Sequence, residues 1–358
     1  MESDFDILII KRIKLDDGME ILEFTLDQLT CKFRQEFGKG LFHASALSRE
    51  IFKFGNRNFF DANEFTTSPV FAKQLKNKIK LTPGKVIETF KENNLTKFIT
   101  LLSDGERIES VIIPMTNHQT LCVSSQVGCK MGCRFCETGR MGFKRNLQVA
   151  EITGQLFNAR FTLKENIKNI VFMGMGEPLD NLNHVVQAIR VMNEQRGFDI
   201  ALRHITLSTA GLIGGIEKLG SLNMSGLRLA VSINAPDDKI RSWLMPVNKT
   251  APLQRLKRAL EMFPLPKRGC FLFEYILIKG LNDSPKDAIH LSEYIKPLPV
   301  RLNLIPCNPV NGFNYESPCD DDMNRFADVL TDKGIFVIKR WSKGRSVAAG
   351  CGQLGRKC

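Results

Sequence analysis

From residue 120 onward the chain alternates strand-like and helix-like patterns, and this alternation constrains the fold more than any other feature. Apolar runs rich in β-formers read as strands at 121–124, 169–173, 203–208, 227–233, 271–277 and 300–305. Segments with apolar residues at helical spacing separate them, such as 182–195, 253–262 and 285–295. Repetition of this kind requires parallel strands joined by right-handed crossovers, so an α/β class is expected, either a barrel or an open doubly wound sheet. Six units fall short of a closed eight-fold barrel, and the expected architecture is a partial (β/α)6 TIM-like barrel.

Ligands in such folds meet the loops that follow the C-terminal ends of the strands. The unusual residues of this chain stand there. The first strand runs into Cys129, Cys133 and Cys136, in the pattern CxxxCxxC. Three thiolates in one loop with no fourth at a matching interval can hold a [4Fe-4S] cluster by three irons and leave the fourth iron open. A closed zinc site is the alternative, but it needs a second ligand pair, and His184 has no His or Cys neighbour at ligand spacing. After the second strand comes Gly174-Met175-Gly176-Glu177-Pro178, whose glycines let a ligand approach the backbone and whose carboxylate can receive an ammonium group. This stretch lacks the third glycine of GxGxxG and does not stand at the first strand, so it is not a dinucleotide loop. Ser208-Thr209-Ala210-Gly211, Ser232-Ile233-Asn234-Ala235-Pro236 and Pro306-Cys307-Asn308-Pro309 end the third, fourth and sixth strands.

Residues 20–95 read as short helices, with Leu26, Leu29, Phe33 and Phe37 on one and Ala44, Leu47, Ile51 and Phe52 on another, after Gly38 and Gly40. Lys32, Arg34, Lys39, Arg49, Lys53 and Arg57 are interspersed, either as a solvated face or as an RNA-binding surface. Asp104-Gly105 between the β-rich runs 98–102 and 107–113 marks a hairpin, on whose second strand Glu109 faces either solvent or a site. Beyond the barrel the pattern gives a helix at 321–332, a strand at 335–339 and then Gly350-Cys351-Gly352-Gln353-Leu354. A cysteine between glycines is accessible, as a reactive thiol must be; Cys358, the last residue, reads as a bystander. The expected organisation is a helical accessory domain at 1–95, a hairpin extension at 96–119, the barrel core at 120–310 and a helix, strand and tail at 311–358.

The start of the chain mixes Glu2, Asp4, Asp6 and Lys11 with one brief apolar run at 7–10, so neither a signal peptide nor a membrane span is expected, and the cytoplasm is the expected location. In that compartment ten cysteines are thiols, metal ligands or catalysts and not a disulfide framework. A net charge of +12 favours a polyanionic partner.

Taken together, LCVSSQVGC at 121–129, CRFC at 133–136, FMGMGEP at 172–178, LST at 207–209, LMPVN at 244–248, NLIPCNP at 303–309 and CGQL at 351–354 resemble the RlmN/Cfr family of radical-SAM RNA methyltransferases, which act on adenine in ribosomal RNA. The resemblance covers about residues 20–354 and implies that Cys129, Cys133 and Cys136 ligate a [4Fe-4S] cluster. By the same similarity Gly176, Glu177, Ser208, Ser232, Ile233, Asn234 and Asn308 hold S-adenosylmethionine, used twice per turnover as methyl donor and as radical source. It implies further that Cys351 carries the methyl group, that Glu109 accepts the adenine ring proton, and that Cys122 resolves the covalent RNA intermediate through a transient disulfide with Cys351. Ribosomal RNA is the implied substrate, with transfer RNA as a second candidate and carbon 2 or carbon 8 as the target; an electron donor such as flavodoxin or ferredoxin and a monomeric chain are also implied. The basic N-terminal helices resemble the family's RNA-binding domain. Two departures bear on specificity: the usual SLHAP is SINAP, with Asn234 for histidine, and the acidic run before the tail cysteine is Arg345, Ser346, Val347, Ala348, Ala349, Gly350. A radical-SAM enzyme with another substrate and a catalytically silent RNA-binding protein with a structural metal are the other readings.

Overall fold

The computed structural model describes residues 18–341, 343, 344 and 346–355; the acidic start of the chain, Arg345 and Cys358 lie outside the described residues. Ten strands form one sheet: β1 (Lys85–Glu92), β2 (Leu95–Leu101), β3 (Arg107–Pro114), β4 (Gln119–Cys122), β5 (Ile167–Phe172), β6 (Ile205–Thr209), β7 (Arg228–Ser232), β8 (Phe271–Leu277), β9 (Val300–Pro306) and β10 (Phe336–Lys339). Their order in the sheet is their order in the chain. Strands β4 to β10 run parallel, each paired to the next, while β1 to β4 are antiparallel. The six expected barrel strands are β4 to β9, and β10 extends them by one.

Crossover helices pack apolar faces onto the sheet because their buried positions recur every three or four residues. Leu182–Asn193, for example, buries Val185, Val186, Ile189 and Met192. Pro285–Ile295 begins at a capping box in which Ser284 and Asp287 each accept the other's backbone N–H, satisfying two donors that the first turn cannot.

Two features differ from the reading of the sequence. Residues 85–92, taken there as part of a helical segment, form β1, because Asn93 and Asn94 both adopt positive φ (45° and 67°) and turn the chain back into β2. A two-residue turn of that kind is a hairpin turn, and asparagine tolerates it. The hairpin around Asp104-Gly105 is present, but its strands continue the barrel sheet through the β3–β4 pairing.

The N-terminal helix Leu26–Phe37 is capped by Thr25 and ends at Gly38 in the left-handed region. It packs Phe33 and Phe37 edge-on against Phe71. Most of the basic residues noted in this segment have internal partners: Lys32 lies 5.2 Å from the Phe24 ring, Lys39 5.7 Å from Phe71 and Arg57 5.6 Å from Phe157, and Arg49 pairs with Glu50 and Glu64. Arg34 and Lys53 remain exposed. Among the described residues no helix is long and apolar enough to cross a membrane.

Candidate active site

A cavity of about 160 Å³ opens at the C-terminal ends of the parallel strands, and it is lined by Cys129, Cys133, Cys136, Gly176, Glu177, Ser208, Ser232, Asn234 and Cys351 among others. These residues from four separate strand ends and from the tail therefore share one space. Ile233 is wholly buried in the core instead, and Asn308, Glu109 and Cys122 stand outside the lining.

The cysteine loop is closed on itself. Gln126–Gly128 pairs with Phe143–Asn146, and the Cys129 N–H donates to the Gly142 carbonyl at 3.0 Å. Burial pushes the Cys129 thiol up to about 12 and those of Cys133 and Cys136 above the ordinary thiol value, and repulsion from neighbouring sulfurs adds to the effect at Cys129 and Cys133. Three crowded thiols of this kind lose their protons only to a strongly positive partner. The three thiols line one part of the cavity wall, a donor set that suits a multi-iron cluster.

Glu177 stitches two strand ends together, since its carboxylate accepts the backbone N–H of Leu179 at 3.1 Å and of Ala210 at 2.7 Å. Complete burial raises its pKa to about 7 despite those donors. An added Cβ on Gly174 or Gly176 would strike Val123, Ser124 or Gln126 within 2.9 Å, so these glycines are required first for packing against the segment after β4. Asn234 sits at φ 56°, a conformation that asparagine and histidine both enter more readily than most residues, which accounts for either at this position. Its Oδ1 accepts the Ile276 N–H at 2.9 Å, and its carbonyl accepts from Asn282 Nδ2 at 2.9 Å, tying the ends of β7 and β8.

The tail is docked across the mouth. Asn308 Nδ2 donates to the Cys351 carbonyl at 2.9 Å, Glu137 N–H to the Gly352 carbonyl at 2.7 Å, and Thr138 Oγ1 to the Leu354 carbonyl at 2.6 Å. Gln353 holds Gly350 N–H at 3.1 Å and reaches the Pro309 carbonyl at 3.2 Å. Upstream, Glu92 receives the N–H groups of Gly344 and Ser346 at 3.0 and 2.9 Å. Gly352 is indispensable to this seat: it has φ 82°, and a Cβ there would lie 2.6 Å from the Phe135 carbonyl. Gly352→Ala is therefore expected to lift the tail while leaving the barrel folded, at a local cost of roughly 1–2 kcal/mol for the backbone alone. Alkylation of Cys351, followed by peptide mass spectrometry, should become several-fold faster; an unchanged rate would show that the seat tolerates a methyl group.

Cys351 is solvent-accessible through the cavity it lines, yet the surrounding protein raises its thiol pKa. Cys122, at the end of β4, is buried, and burial first and the Cys351 sulfur second push its thiol up to about 12. Glu109 is also buried, 3.5 Å from the Lys97 ammonium, and burial raises its carboxyl pKa.

Three side chains of the site escaped the sequence reading. Glu274 lines the cavity, hydrogen-bonded through Oε1 to Asn303 Nδ2 at 2.7 Å. Arg241 is wholly buried and donates to the carbonyls of Ala210, Ser232 and Ile233 at 2.7–3.0 Å, bracing the third and fourth strand ends. Lys97 lies beneath the tail. A charged residue inside an apolar strand was the available signal for Glu274 in FLFEYIL and Lys97 in LTKFITL; Arg241, on a short helix, offered none.

A partial parallel barrel with a cysteine triad at its mouth defines the radical SAM class, and the profile of the Radical SAM superfamily matches residues 123–291. A solved radical SAM methyltransferase from Sphaerobacter thermophilus superposes with a TM-score of 0.87 at 31% identity, covering 94% of this chain and 99% of that one. The Dual-specificity RNA methyltransferase RlmN of Syntrophobacter fumaroxidans is 41% identical over 93% of this chain and 97% of its own length, and that of Desulfosudis oleivorans is 46% identical over 72% and 70%. The chain belongs to the RlmN family of radical SAM RNA methyltransferases. Superfamily membership implies a [4Fe-4S] cluster and S-adenosylmethionine, and the three-thiol wall of the cavity fits the first.

Proposed function

We propose that this protein transfers a methyl-derived carbon from S-adenosylmethionine, by way of Cys351, to carbon 2 or carbon 8 of an adenine in ribosomal RNA, with transfer RNA as a second substrate class. One observation carries the reading: the tail seats Cys351 in the wall of the same cavity as Cys129, Cys133 and Cys136. The dual-specificity description of the relatives is in keeping with two kinds of RNA.

When bound, the cluster and S-adenosylmethionine supply the methyl group and the one-electron chemistry. Cys129, Cys133 and Cys136 would hold the cluster. Gly176, Glu177, Ser208, Ser232 and Asn234 would line the cofactor's bed; Ile233 would act from the core, and Asn308 by seating the Cys351 backbone. Cys351 sulfur is the carrier. Glu109 takes the proton leaving the adenine carbon, a role typically worth about 10²–10⁴-fold, while the one unpaired electron left by the ring addition would return to the one-electron acceptor that the bound cluster supplies. Cys122 thiolate then attacks Cys351 sulfur: the S–S bond forms, the S–C bond breaks, and the bonding pair passes to the methylene carbon, which takes a proton and becomes the methyl group. The disulfide must afterwards be reduced by an external thiol. The remaining partners of the proposal are a flavodoxin- or ferredoxin-type electron donor and an RNA bound with strong salt dependence. A monomer in the cytoplasm completes it.

The test is to incubate the anaerobically reconstituted protein with ribosomal RNA and S-adenosylmethionine deuterated in its methyl group, then digest the RNA. A methyl group of composition CHD2 on an adenine ring carbon is the expected result. Label confined to a base nitrogen or a ribose oxygen, or activity that survives Cys351→Ala, would defeat the scheme and favour a different radical-SAM substrate.

A further inference from the structure

Lys97 is wholly buried on β2, a rare position for a lysine, which is kept inside a protein only when it is paired. Its ammonium lies 3.5 Å from Glu109 Oε2 and 3.5 Å from the carbonyl of Ala348 in the tail, with the Phe90 ring centre 5.2 Å away. The register explains the meeting. Lys97 pairs with Val111 and Ile99 with Glu109, so Lys97 and Glu109 are diagonal neighbours on one face of the sheet, and the tail lies over that face. Ala348 reaches Lys97 from a left-handed conformation, φ 49°, which a side chain disfavours and which the docked tail sustains.

Glu109 Oε2 is buried and receives no hydrogen bond from any described group. An ion pair at 3.5 Å supplies charge without occupying the lone pair as a short hydrogen bond would. Lys97 from β2 and the Gly355 N–H from the tail are the groups set against this carboxylate, and both favour its ionised form, opposing burial. The Gly355 N–H set against the acceptor and the Ala348 carbonyl that is the second partner of Lys97 both belong to the segment that carries Cys351.

We infer that Lys97 is a positioning residue that couples the tail bearing Cys351 to the Glu109 carboxylate, so that methyl carrier and proton acceptor are assembled together. The inference rests on the function proposed above, in which Glu109 takes the ring proton. In that step the adenine C–H bond breaks, an O–H bond forms at Glu109 Oε2, and Lys97 keeps all its protons. Undocking the tail leaves Lys97 with one partner fewer and Glu109 without the Gly355 N–H.

The experiment compares full-length Lys97→Met, Lys97→Arg and wild-type protein with two readouts. The first is the alkylation rate of Cys351 by iodoacetamide in iron-depleted protein, read by peptide mass spectrometry and independent of catalysis. The second is the reconstituted protein's turnover, with the mass of any RNA left attached. Lys97→Met should alkylate several-fold faster, turn over roughly 10²-fold or more slowly, and accumulate an adduct that still holds the ring proton. Lys97→Arg should restore most of both. Should Lys97→Met be insoluble, the neutral pair Lys97→Met with Glu109→Gln removes the unpaired charge, and faster alkylation of Cys351 is still expected. A wild-type alkylation rate in either variant, or wild-type turnover in Lys97→Met, overturns the inference. If instead the proposed function is wrong, no RNA adduct forms even in Cys122→Ala, while the alkylation difference stands.

Discussion

Protein carrying Cys122→Ala is expected to come out of growing cells with RNA covalently attached to Cys351. In the proposed cycle Cys351 becomes bonded to an adenine carbon through its methylene group, and only attack by a second thiol frees it. Cys122 is the thiol proposed for that step: it ends β4 on the same face of the sheet as Glu109 and Lys97, where the tail meets Lys97 through the Ala348 carbonyl. Removing its sulfur deletes one buried atom, for which about 1 kcal/mol is a fair expectation, so the fold should survive and the defect should be purely chemical. Repeated turnover should vanish, and the attached oligonucleotide, sequenced, would name the RNA. A double variant with Cys351→Ala should carry none. A Cys122→Ala protein with full iron and sulfide content but no attached RNA would sink the methyl-carrier scheme.

Replacing Cys133 should have an equally complete but earlier effect. Cys129, Cys133 and Cys136 are each buried or half-buried, burial raises all three thiol pKa values, and the neighbouring sulfurs raise those of Cys129 and Cys133 further, so the site gains no stability from them in the absence of a cation. Cys133→Ala should thus leave the unfolding midpoint of the iron-free protein within a few degrees of wild type, as expected for a change of roughly 1 kcal/mol or less. Two thiols cannot secure three irons, however. Reconstitution with iron and sulfide should give no visible charge-transfer absorbance, Cys351 should be recovered without its methyl group, and product should fall to background. Retention of the full cluster spectrum in this variant would mean that the ligand set is wrong.

The two variants fail at opposite ends of one cycle, and the contrast is diagnostic. Loss of Cys133 yields a clean, unmodified chain, whereas loss of Cys122 yields a modified chain that cannot let go. The Lys97 variants fall between them, with the adduct formed and the ring proton retained.

Much of this arrangement is legible in the amino-acid sequence because it depends on local periodicity. The parallel strands and the helices Leu182–Asn193, Leu253–Glu261 and Pro285–Ile295 follow from alternating and 3.6-residue apolar patterns, and their edges lie within a few residues of expectation. The cysteine spacing is likewise local. The strand Lys85–Glu92 was missed because its turn, Asn93-Asn94, signals through backbone φ that no periodicity records. The basic N-terminal residues read as one surface, yet Lys32, Lys39, Arg49 and Arg57 have aromatic or acidic partners brought in from other segments.

By itself, then, the sequence determined the succession of strands and helices from residue 120, the loop that bears Cys129, Cys133 and Cys136, and the presence of a glycine-flanked thiol at Cys351, because each depends on residues a few positions apart. Tertiary structure alone decided what those residues face. It turned Glu177 and Asn234 into braces between strand ends and hid Ile233 in the core. It also brought Lys97 under Ala348, residues 251 positions apart in the chain, and put Cys122 on the sheet face shared by Lys97 and Glu109. The physical reason is that burial, ion pairing and the seat of a tail are properties of surfaces meeting, and sheet closure is what makes distant surfaces meet.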